Sequence, residues 1–287
     1  MQSCSVRASH FDLVKTLDSG QVFHWEKYAD GFVGTIEQVP VYVEQRGSTL
    51  KVSCNGAEQS PGRVIRQYFA LDHPLKKICA SFPPDAAMNQ ARDFCRGLRI
   101  IRQPKWECLA TFICSSMKQV AHIRQISRAL RQRYGRKLII CGITTYDFPG
   151  AGRLARASEE ELRVCGLGYR AKNLLATSRR VATGEAHLEA WNALPDDELR
   201  ARLCELPGVG AKVANCVMLF AYERIAAFPI DVWIERVLRQ NYFARKRKVT
   251  PRKLAEFAAG YFGEYGGYAQ QYLFHYARLM KRRADPY

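Results

Sequence analysis

The chain has 287 residues, of which 47% are hydrophobic, so it is long enough for more than one subdomain and too apolar to be mainly disordered. Its 44 lysines and arginines outnumber its 27 aspartates and glutamates, which gives a formal net charge of +17. A surplus of this size usually indicates a polyanionic partner, most often a nucleic acid. The sequence has no long apolar run, polybasic anchor or hydrophobic signal core, so we expect no association with membranes.

The ten cysteines predict core thiols and not a metal or cluster site. They occur at positions 4, 54, 79, 95, 108, 114, 141, 165, 204 and 216, without any C-x-x-C spacing. Most lie in apolar stretches, so we expect reduced thiols that act as small core residues, as in a cytosolic protein. No cysteine follows Cys216, so the last quarter of the chain has no thiolate ligands for an iron–sulfur cluster or a zinc ion.

Residues 20–55 predict an antiparallel β-sheet with one face towards water. Four segments alternate apolar and polar side chains, as strands do, namely 21–25, 32–36, 39–45 and 49–54. Asp30-Gly31 and Gly47-Ser48 supply turns between them.

From about residue 61 the hydrophobic period becomes that of a helix. Two apolar helix faces can be read, one formed by Trp106, Leu109, Phe112 and Ile113 and the other by Val120, Ile123, Ile126 and Leu130. The fold class is therefore predicted as α+β, with an N-terminal antiparallel-sheet domain over residues 1–98 and an all-α body over residues 99–287.

Capping residues predict several helix boundaries. Ser158 and Glu161 have the spacing of a capping box, and Thr250-Pro251 fits an N-cap followed by proline in the first turn. Acids at positions 196 and 197 suit the start of a helix that ends at Leu206. The last helix is expected over 268–281.

The segment Leu206-Pro207-Gly208-Val209-Gly210-Ala211-Lys212 is the most informative in the chain. Pro207, Gly208, Val209 and Gly210 would let the backbone turn sharply between two helices and leave amide N–H groups free at the start of the second. Such groups, aided by the helix dipole, bind a phosphate. Glycine-containing turns also join ordinary helix pairs, and the hairpin alone does not decide between these two interpretations.

Lys212 and Asp231 add reactive groups to the hairpin. Lys212 falls in the first turn of an apolar helix, where burial and the positive helix end both favour the neutral amine, the form that attacks carbon. Asp231 lies at the mouth of the next helix, where its carboxylate would cap that helix and would also stabilise positive charge on a sugar ring. A lysine that only contacts phosphate and an aspartate that is only an N-cap remain as simpler alternatives.

The hairpin, Lys212 and Pro229-Ile230-Asp231 resemble the helix-hairpin-helix–GPD superfamily of DNA base-excision glycosylases. Within it, the chain is similar over nearly its whole length to the 8-oxoguanine DNA glycosylase/AP lyase family, and we expect a member of the bacterial type. Four further stretches match that family in order, namely 17–25 (LDSGQVFHW), 108–116 (CLATFICSS), 166–171 (GLGYRA) and 268–274 (YAQQYLF).

The resemblance implies a pocket for a base flipped out of the duplex. A main-chain carbonyl at Gly20 would accept the N7–H of 8-oxoguanine and would repel the N7 lone pair of guanine. Gln270 and Phe274, four residues apart on one helix face, would bond the Watson–Crick edge of the base and stack on its plane. Cys216 would lie against the other face of the base and in polar contact with Lys212. Without the resemblance, these residues would be interpreted as a turn, core side chains and an inert thiol.

Two further features are expected to contact DNA. Tyr169 and Arg170 match a pair that the family inserts where the damaged nucleotide leaves the duplex, although a solvated helix start after Gly168 is the alternative. The basic run at 245–248 is interpreted as a solvated loop that attracts DNA at long range, in preference to a nuclear-targeting signal.

The sequence departs from the eukaryotic family pattern where the opposite strand would be read. Eukaryotic members have a run of asparagines after the Cys-Ser-Ser and then an arginine, and the first asparagine and that arginine help to read the cytosine opposite the lesion. Met117 and His122 stand in their place, and only Arg170 of that set remains. We therefore expect relaxed discrimination for opposite cytosine. Trp233 replaces a family histidine near the phosphate backbone and is given no role.

The resemblance thus implies a bifunctional glycosylase and AP lyase that excises 8-oxoguanine from double-stranded DNA through a Schiff base on Lys212. No redox metal, iron–sulfur cluster or organic cofactor is implied, and the one ion considered is a structural monovalent cation at the hairpin when DNA is bound. We expect a monomer, in the cytoplasm or nucleoid of a bacterium or in the nucleus of a eukaryote.

Two alternatives to this function remain. An alkyl-base glycosylase of the same superfamily relies on the aspartate and lacks the lysine, so Lys212 argues against it. A non-catalytic module that binds DNA by its hairpin belongs to a different class, and it would form no covalent adduct with DNA.

Overall fold

Five antiparallel strands near the N-terminus form one sheet in the order β1-β5-β4-β3-β2. They are β1 (Gln2–Arg7), β2 (Glu26–Tyr28), β3 (Gly31–Ile36), β4 (Val39–Arg46) and β5 (Thr49–Cys54), with helix α1 (Leu13–Asp18) between β1 and β2. The structure is a computed structural model that describes residues 1–56, 60–115, 119–243 and 249–284, with side chains up to residue 280. The predicted N-terminal antiparallel sheet is confirmed.

Three of the four predicted strand segments lie in β3, β4 and β5. β5 shows the expected alternation, since Leu50 and Val52 are buried while Lys51 between them is exposed. The turn before β3 lies at Ala29-Asp30, one residue earlier than predicted, because Gly31 already pairs with β4. The sequence did not reveal β1, in which Val6 alone is buried. Main-chain pairing with β5, with Val6 opposite Leu50, holds that strand.

The strand prediction for residues 21–25 is wrong. Gln21 is fully buried, and its amide bonds to the main chain: Nε2 donates to Arg99 O at 2.8 Å, and Oε1 accepts from Ile101 N at 2.7 Å. Phe23 packs into the core of the helical body, whereas Trp25 packs into the core under the sheet. The alternation in this segment therefore reflects two different cores and not the two faces of a strand.

The rest of the described chain is mainly helical, as predicted. Its helices are α2 (Pro61–Tyr68), α3 (Leu75–Ala80), α4 (Ala86–Phe94), α5 (Lys105–Cys114), α6 (Val120–Tyr134), α7 (Ala151–Leu154), α8 (Glu159–Leu162), α9 (Arg170–Ala182), α10 (Asp196–Cys204), α11 (Ala211–Ala221), α12 (Val232–Tyr242), α13 (Pro251–Phe262) and α14 (Gly266–Ala284). A hairpin of β6 (Lys137–Ile140) and β7 (Ile143–Tyr146), which was not predicted, follows α6. Side chains of α3 and α4 pack into the core of the helical body.

The predicted helix starts are confirmed. Ser158 and Glu161 make both bonds of the capping box. Ser158 N donates to Glu161 Oε2 at 2.9 Å, and Glu161 N donates to Ser158 Oγ at 3.1 Å. Thr250 Oγ1 accepts from Lys253 N at 3.2 Å. α10 begins at Asp196 as expected but ends at Cys204, two residues before the predicted end, and α14 is longer than predicted at both ends.

Helix α5 lies at the centre of the helical body. An amphipathic helix was expected, but every residue from Glu107 to Cys114 is buried. The apolar face predicted for α6 is confirmed, since Ile123, Ile126 and Leu130 are buried. The C-terminal end of α5 is thus held rigidly from several sides, which matters because it meets α11 at the candidate site.

A buried ionic cluster joins the sheet to the helical body. Glu107 of α5 pairs with Arg131 of α6 and with His24 Nδ1 at 3.1 Å. His24 Nε2 bonds to Thr35 O at 2.8 Å, and Arg131 Nη1 donates to Thr35 Oγ1 at 2.8 Å. Burial favours the neutral acid, but Arg131 and His24 outweigh it and hold the pKa of Glu107 at about 2. Burial and Arg131 lower the pKa of His24, against the raising effect of Glu107.

All ten cysteines lie in described parts of the chain, and each is a free thiol. Six are buried, as expected for core thiols, while Cys141 and Cys204 are exposed. Of the described helices, none has the length and apolar character needed to cross a membrane.

Candidate active site

A tight hairpin over residues 205–210 connects α10 to α11, and a neighbouring helix fixes its shape. Gly208 has a φ of +82°, and a Cβ at this position would lie 2.8 Å from Asn173 Cβ on α9. Only glycine satisfies both the positive φ and this close approach. Thr177 Oγ1, also from α9, donates to Pro207 O at 2.9 Å, and Val209 is buried. The four predicted hairpin residues therefore form one rigid turn.

The first turn of α11 is open towards solvent. Gly210 is its N-cap, with extended backbone, and no side chain caps the helix. Gly210 and Ala211 are exposed, and a Cβ on Gly210 would meet nothing within 4 Å. The orphan amides of this turn and the positive end of the helix dipole can therefore receive a phosphate.

Lys212 lies in this first turn and is half-buried. Its Nζ donates to Ser115 Oγ at 3.1 Å and lies 5.1 Å from the centroid of the Phe112 ring. Both partners come from the C-terminal end of α5. The amine therefore has a defined position between a hydroxyl and an aromatic face, which a lysine free to follow solvent would not have.

Asp231 caps α12 with a single carboxylate oxygen. Oδ1 accepts from Trp233 N at 3.0 Å and from Ile234 N at 2.9 Å. Burial raises the pKa of Asp231 above its ordinary value, against the lowering effect of these amides and of Lys212. The capping role considered for this residue is confirmed. Both capping bonds use Oδ1, and Oδ2 takes part in neither.

Cys216 is buried on α11, one turn after Lys212. Burial raises the pKa of its thiol to about 11, and Lys212 opposes that shift both by its charge and by a side-chain hydrogen bond. The charge of Asp231 raises the pKa of the same thiol, as burial does. Cys216 is therefore a neutral thiol, and it lies close enough to both Lys212 and Asp231 to interact with their charges.

The loop at Gly20 and the last helix meet directly. Gly20 has a φ of +83°, and a Cβ there would lie 3.0 Å from Phe274 Cε1 and 3.3 Å from Val120 Cγ2. Gln270, one turn before Phe274 on α14, is buried, and its Oε1 has no hydrogen-bond partner in the described chain. A buried amide oxygen left unpaired is costly, so this atom points to a donor supplied by a ligand.

One aromatic contact connects the surroundings of Lys212 to the loop that carries Gly20. The Phe112 ring, which the Lys212 amine faces, packs edge-on against Phe23 with ring centroids 5.7 Å apart. Phe23 follows Gly20 by three residues. The end of α5 therefore lies between the lysine and the loop that carries Gly20.

Tyr169 and Arg170 stand at the start of α9, where only the tyrosine projects. Tyr169 is 58% exposed, whereas Arg170 is buried. The Arg170 guanidinium lies 4.3 Å from the centroid of the Tyr169 ring, and its Nη2 donates to Tyr169 Oη at 3.1 Å. The buried arginine thus braces an exposed aromatic ring at the surface.

Only some of the residues expected to read the opposite strand lie in the described parts of the chain. His122 is exposed in the first turn of α6. Met117 and the basic run at 245–248 lie outside the described residues. Trp233 is half-buried, with the Arg236 guanidinium 5.6 Å from its ring centroid.

Sequence reasoning missed three side chains that shape the site. Ser115 and Phe112 contact the Lys212 amine, and Asn173 packs against the hairpin glycine. Each comes from a helix distant in sequence, so no local pattern reveals the contact. Ser115 and Phe112 do fall within the stretch 108–116 that matches the family, which was the one available signal. In the described ranges, no group of three or more His, Cys, Asp or Glu side chains could hold a metal ion.

Comparison with known proteins agrees with this geometry. Residues 3–109 match the family described as 8-oxoguanine DNA glycosylase, N-terminal domain, and residues 110–260 match the HhH-GPD superfamily base excision DNA repair protein. The N-glycosylase/DNA lyase OGG1 of Arabidopsis thaliana is 32% identical over 275 residues, which cover 90% of this chain and 75% of the relative.

Two solved structures are similar over almost the whole chain. MBOgg1 in complex with a low affinity DNA ligand superposes with a TM-score of 0.92 at 33% identity, covering 98% of this chain and 97% of that one. The 8-oxoguanine glycosylase/lyase of Clostridium acetobutylicum, bound to double-stranded DNA with cytosine opposite 8-oxoG, gives a TM-score of 0.89 at 32% identity and covers 94% of this chain and 93% of that one. The chain therefore belongs to the HhH-GPD superfamily of base excision DNA repair proteins and, within it, to the 8-oxoguanine DNA glycosylase family.

Proposed function

We propose that this protein is a bifunctional DNA glycosylase and AP lyase that excises 8-oxoguanine from double-stranded DNA in base excision repair. The observation that carries the proposal is the place of Lys212. Its amine is held at the open N-terminal turn of α11, against Ser115 and within the electrostatic range of Asp231. A phosphate bound at that turn would bring the sugar of a neighbouring nucleotide to the amine.

The first chemical step is displacement of the base. The lone pair of the Lys212 amine attacks C1′ as the bond from C1′ to the base nitrogen breaks, so the electron pair of that bond leaves with the base, which takes up the proton that Nζ releases. Positive charge develops on the sugar ring, and the Asp231 carboxylate stabilises it. Oδ2 is the oxygen available for this role, because Oδ1 is occupied by the cap.

The second step is strand cleavage by the lyase activity. Opening of the sugar converts the C1′–Nζ bond to a Schiff base, which makes the C2′ proton acidic. Loss of that proton and departure of the 3′ phosphate complete a β-elimination, and hydrolysis of the imine returns the Lys212 amine. Amine chemistry of this type requires no redox metal or organic cofactor.

Recognition of the base falls to the pocket between the Gly20 loop and α14. The Gly20 carbonyl accepts the N7–H that distinguishes 8-oxoguanine from guanine. Gln270 Oε1, buried and unpaired in the described chain, accepts from the Watson–Crick edge, and Phe274 stacks on the base plane. Cys216 is assigned to the opposite face of the base.

The partner is duplex DNA, for which the net charge of +17 provides long-range attraction. The hairpin Pro207-Gly208-Val209-Gly210 holds the backbone through main-chain groups, with a monovalent cation as the structural ion proposed there when DNA is bound. Tyr169 enters the duplex where the base leaves it, supported by Arg170. We propose that the protein acts as a monomer wherever the cell keeps its DNA.

Borohydride trapping on a duplex with a single 8-oxoguanine tests this function. Wild-type protein should form a reduced covalent adduct and release the base, and Lys212→Gln should form none. Lys51→Gln, which removes an exposed lysine of the same charge from the sheet, should trap like wild type.

The two alternatives give different results in the same assay. Base release without any adduct from wild-type protein would identify a glycosylase that does not use an amine. Binding of the duplex with neither release nor adduct would identify a non-catalytic module. An undiminished adduct with Lys212→Gln would assign the chemistry to another amine.

A further inference from the structure

The loop that presents Gly20 is tied to α14 by two buried side chains. Gln271 Nε2 donates to Ser19 O at 2.9 Å, and Arg278 Nη2 donates to Asp18 O. The Arg278 guanidinium also lies 3.6 Å from Asp18 Oδ2. Both side chains are buried, at 2% and 4% exposure, so they are held where they make these contacts.

Helical spacing explains why α14 can both line the base pocket and anchor the loop that carries Gly20. Gln271 and Arg278 are seven residues apart, two helical turns, and share one stripe of α14. Gln270 and Phe274 form the adjacent stripe, with Phe274 in contact with Gly20. The same rigid element therefore carries one wall of the base pocket and the anchors of the loop on the other side of that pocket.

Other contacts restrain the anchors and the loop. His275 Nδ1 lies 3.3 Å from Arg278 Nη2, and Arg124 of α6 pairs with Asp18 Oδ1 at 2.8 Å. Ser19 Oγ donates to Thr16 O at 2.9 Å. The carbonyls before Gly20 are thus both occupied. In the described chain no group donates a hydrogen bond to Gly20 O itself, which leaves it free for a ligand.

We propose that Gln271 and Arg278 are positioning residues that set the distance between the Gly20 carbonyl and the bound base, and thereby the discrimination of 8-oxoguanine from guanine. The proposal rests on the function proposed above. The carbonyl attracts an N7–H and repels an N7 lone pair, and both effects depend steeply on distance. A loosened loop would weaken binding of 8-oxoguanine and tolerate guanine better, so the ratio of affinities falls from both sides.

The test compares two ligands and one reaction. Dissociation constants are measured for matched duplexes that carry non-cleavable 2′-fluoro-8-oxoguanosine or 2′-fluoroguanosine. Cleavage of a duplex with an abasic site is measured in parallel, since that substrate has no base to read. For Gln271→Leu and Arg278→Lys we expect the ratio of the two affinities to fall about tenfold or more, which corresponds to about 1.4 kcal/mol of discrimination. Cleavage at the abasic site should stay near the wild-type rate.

Tyr276→Phe is the matched control on the same helix. It removes a hydrogen bond from Tyr276 Oη to Gln90 Oε1 at 3.2 Å, away from the loop, and should leave the ratio of affinities unchanged. If Arg278→Lys does not fold, Gln271→Leu decides the question alone. An unchanged ratio in folded Gln271→Leu, or an equal loss for both duplexes and for abasic cleavage, would overturn the proposal. If wild-type protein shows no preference for 8-oxoguanosine, the proposed function itself fails.

Discussion

Lys212 Nζ lies 3.1 Å from Ser115 Oγ, which places the amine at the start of α11 against the end of α5. The Ser115 hydroxyl gives its own proton to Phe112 O at 2.7 Å, so its oxygen has only lone pairs to offer the amine. One N–H of Lys212 is thereby directed at Ser115. The centroid of the Phe112 ring lies 5.1 Å from the same nitrogen.

Ser115→Ala should slow formation of the covalent adduct without weakening DNA binding. The amine loses the group that orients it, and misplacement of a reacting atom by about 1 Å costs up to roughly 100-fold in rate. The measurement is single-turnover trapping on 8-oxoguanine DNA, with affinity measured on the same duplex. Ser178→Ala is the control, because that hydroxyl also bonds a carbonyl of its own helix but contacts no residue of the site. A wild-type rate for Ser115→Ala would show that the contact is incidental.

Asp231→Asn should separate the two roles of the aspartate. Asparagine caps a helix about as well as aspartate, so the free energy of unfolding should change by less than about 0.5 kcal/mol, whereas Asp231→Ala should lose about 1 kcal/mol. Both variants lack the carboxylate, and we expect excision to fall roughly 100-fold or more in each. Urea unfolding and single-turnover excision provide the measurements. Wild-type stability together with wild-type excision in Asp231→Asn would leave only the cap.

The raised pKa of Asp231 also predicts a pH effect with a definite sign. Because burial disfavours the carboxylate in the fold, the group is protonated at a higher pH than an ordinary aspartate, whose pKa is about 3.9. Excision should therefore decline on the acid side above that value. The ionised group costs stability as pH rises from the unfolded to the folded pKa, and Asp231→Asn should remove that dependence.

Local patterns predicted the secondary structure well where one face of an element was buried, as in β5 and α6, and where a cap was complete, as at Ser158. They failed at Gln21, whose burial is compensated by main-chain groups about 80 residues away. The chemistry of Lys212 and Asp231 could be inferred from position on a helix. The base pocket could not, because Gly20 and Phe274 meet only in the fold, and there the family resemblance supplied the residues. No sequence signal indicated Asn173 as a partner of the hairpin, and Ser115 was marked only by its place in the family-matching stretch 108–116.

The hairpin glycines should differ in their response to a methyl group. Gly208→Ala combines a positive φ with a Cβ 2.8 Å from Asn173 Cβ, so we expect a loss of about 1–3 kcal/mol in the free energy of unfolding and weaker binding of DNA. Gly210 has a negative φ and open space around its Cβ position, so Gly210→Ala should lose only the difference between glycine and alanine as an N-cap, less than about 1 kcal/mol. Chemical denaturation and anisotropy with an abasic-analogue duplex measure the two effects. Equal stability of the two variants would contradict the role of Asn173 as a steric limit.

The buried cluster of Glu107, His24 and Arg131 should govern stability in acid. Glu107→Gln leaves Arg131 without its carboxylate, and breaking a buried pair in this way costs about 3–5 kcal/mol. The folded pKa of Glu107 is about 2, so its contribution is present above the ordinary glutamate value and is lost as pH falls towards 2. His24, with its lowered pKa, adds a loss that begins below its ordinary value of about 6.5. Urea unfolding from neutral to acid pH measures this, with Glu26→Gln, from an exposed pair, as the control.

Excision should depend only weakly on the base opposite the lesion. His122 is exposed in the first turn of α6, and an imidazole offers fewer donors than the arginine that the eukaryotic pattern places there. Single-turnover excision of 8-oxoguanine opposite cytosine, adenine, guanine and thymine should give rates within about tenfold of one another, a spread of about 1.4 kcal/mol. His122→Arg adds a planar set of donors that can reach the acceptors on the edge of cytosine, and it should raise the preference for cytosine. Gln132→Arg adds the same charge at an exposed position near the other end of α6 and should raise all four rates or none. A steep preference for cytosine in the wild-type protein would refute the idea, and it would assign the reading of that base to Arg170 and to residues near Met117.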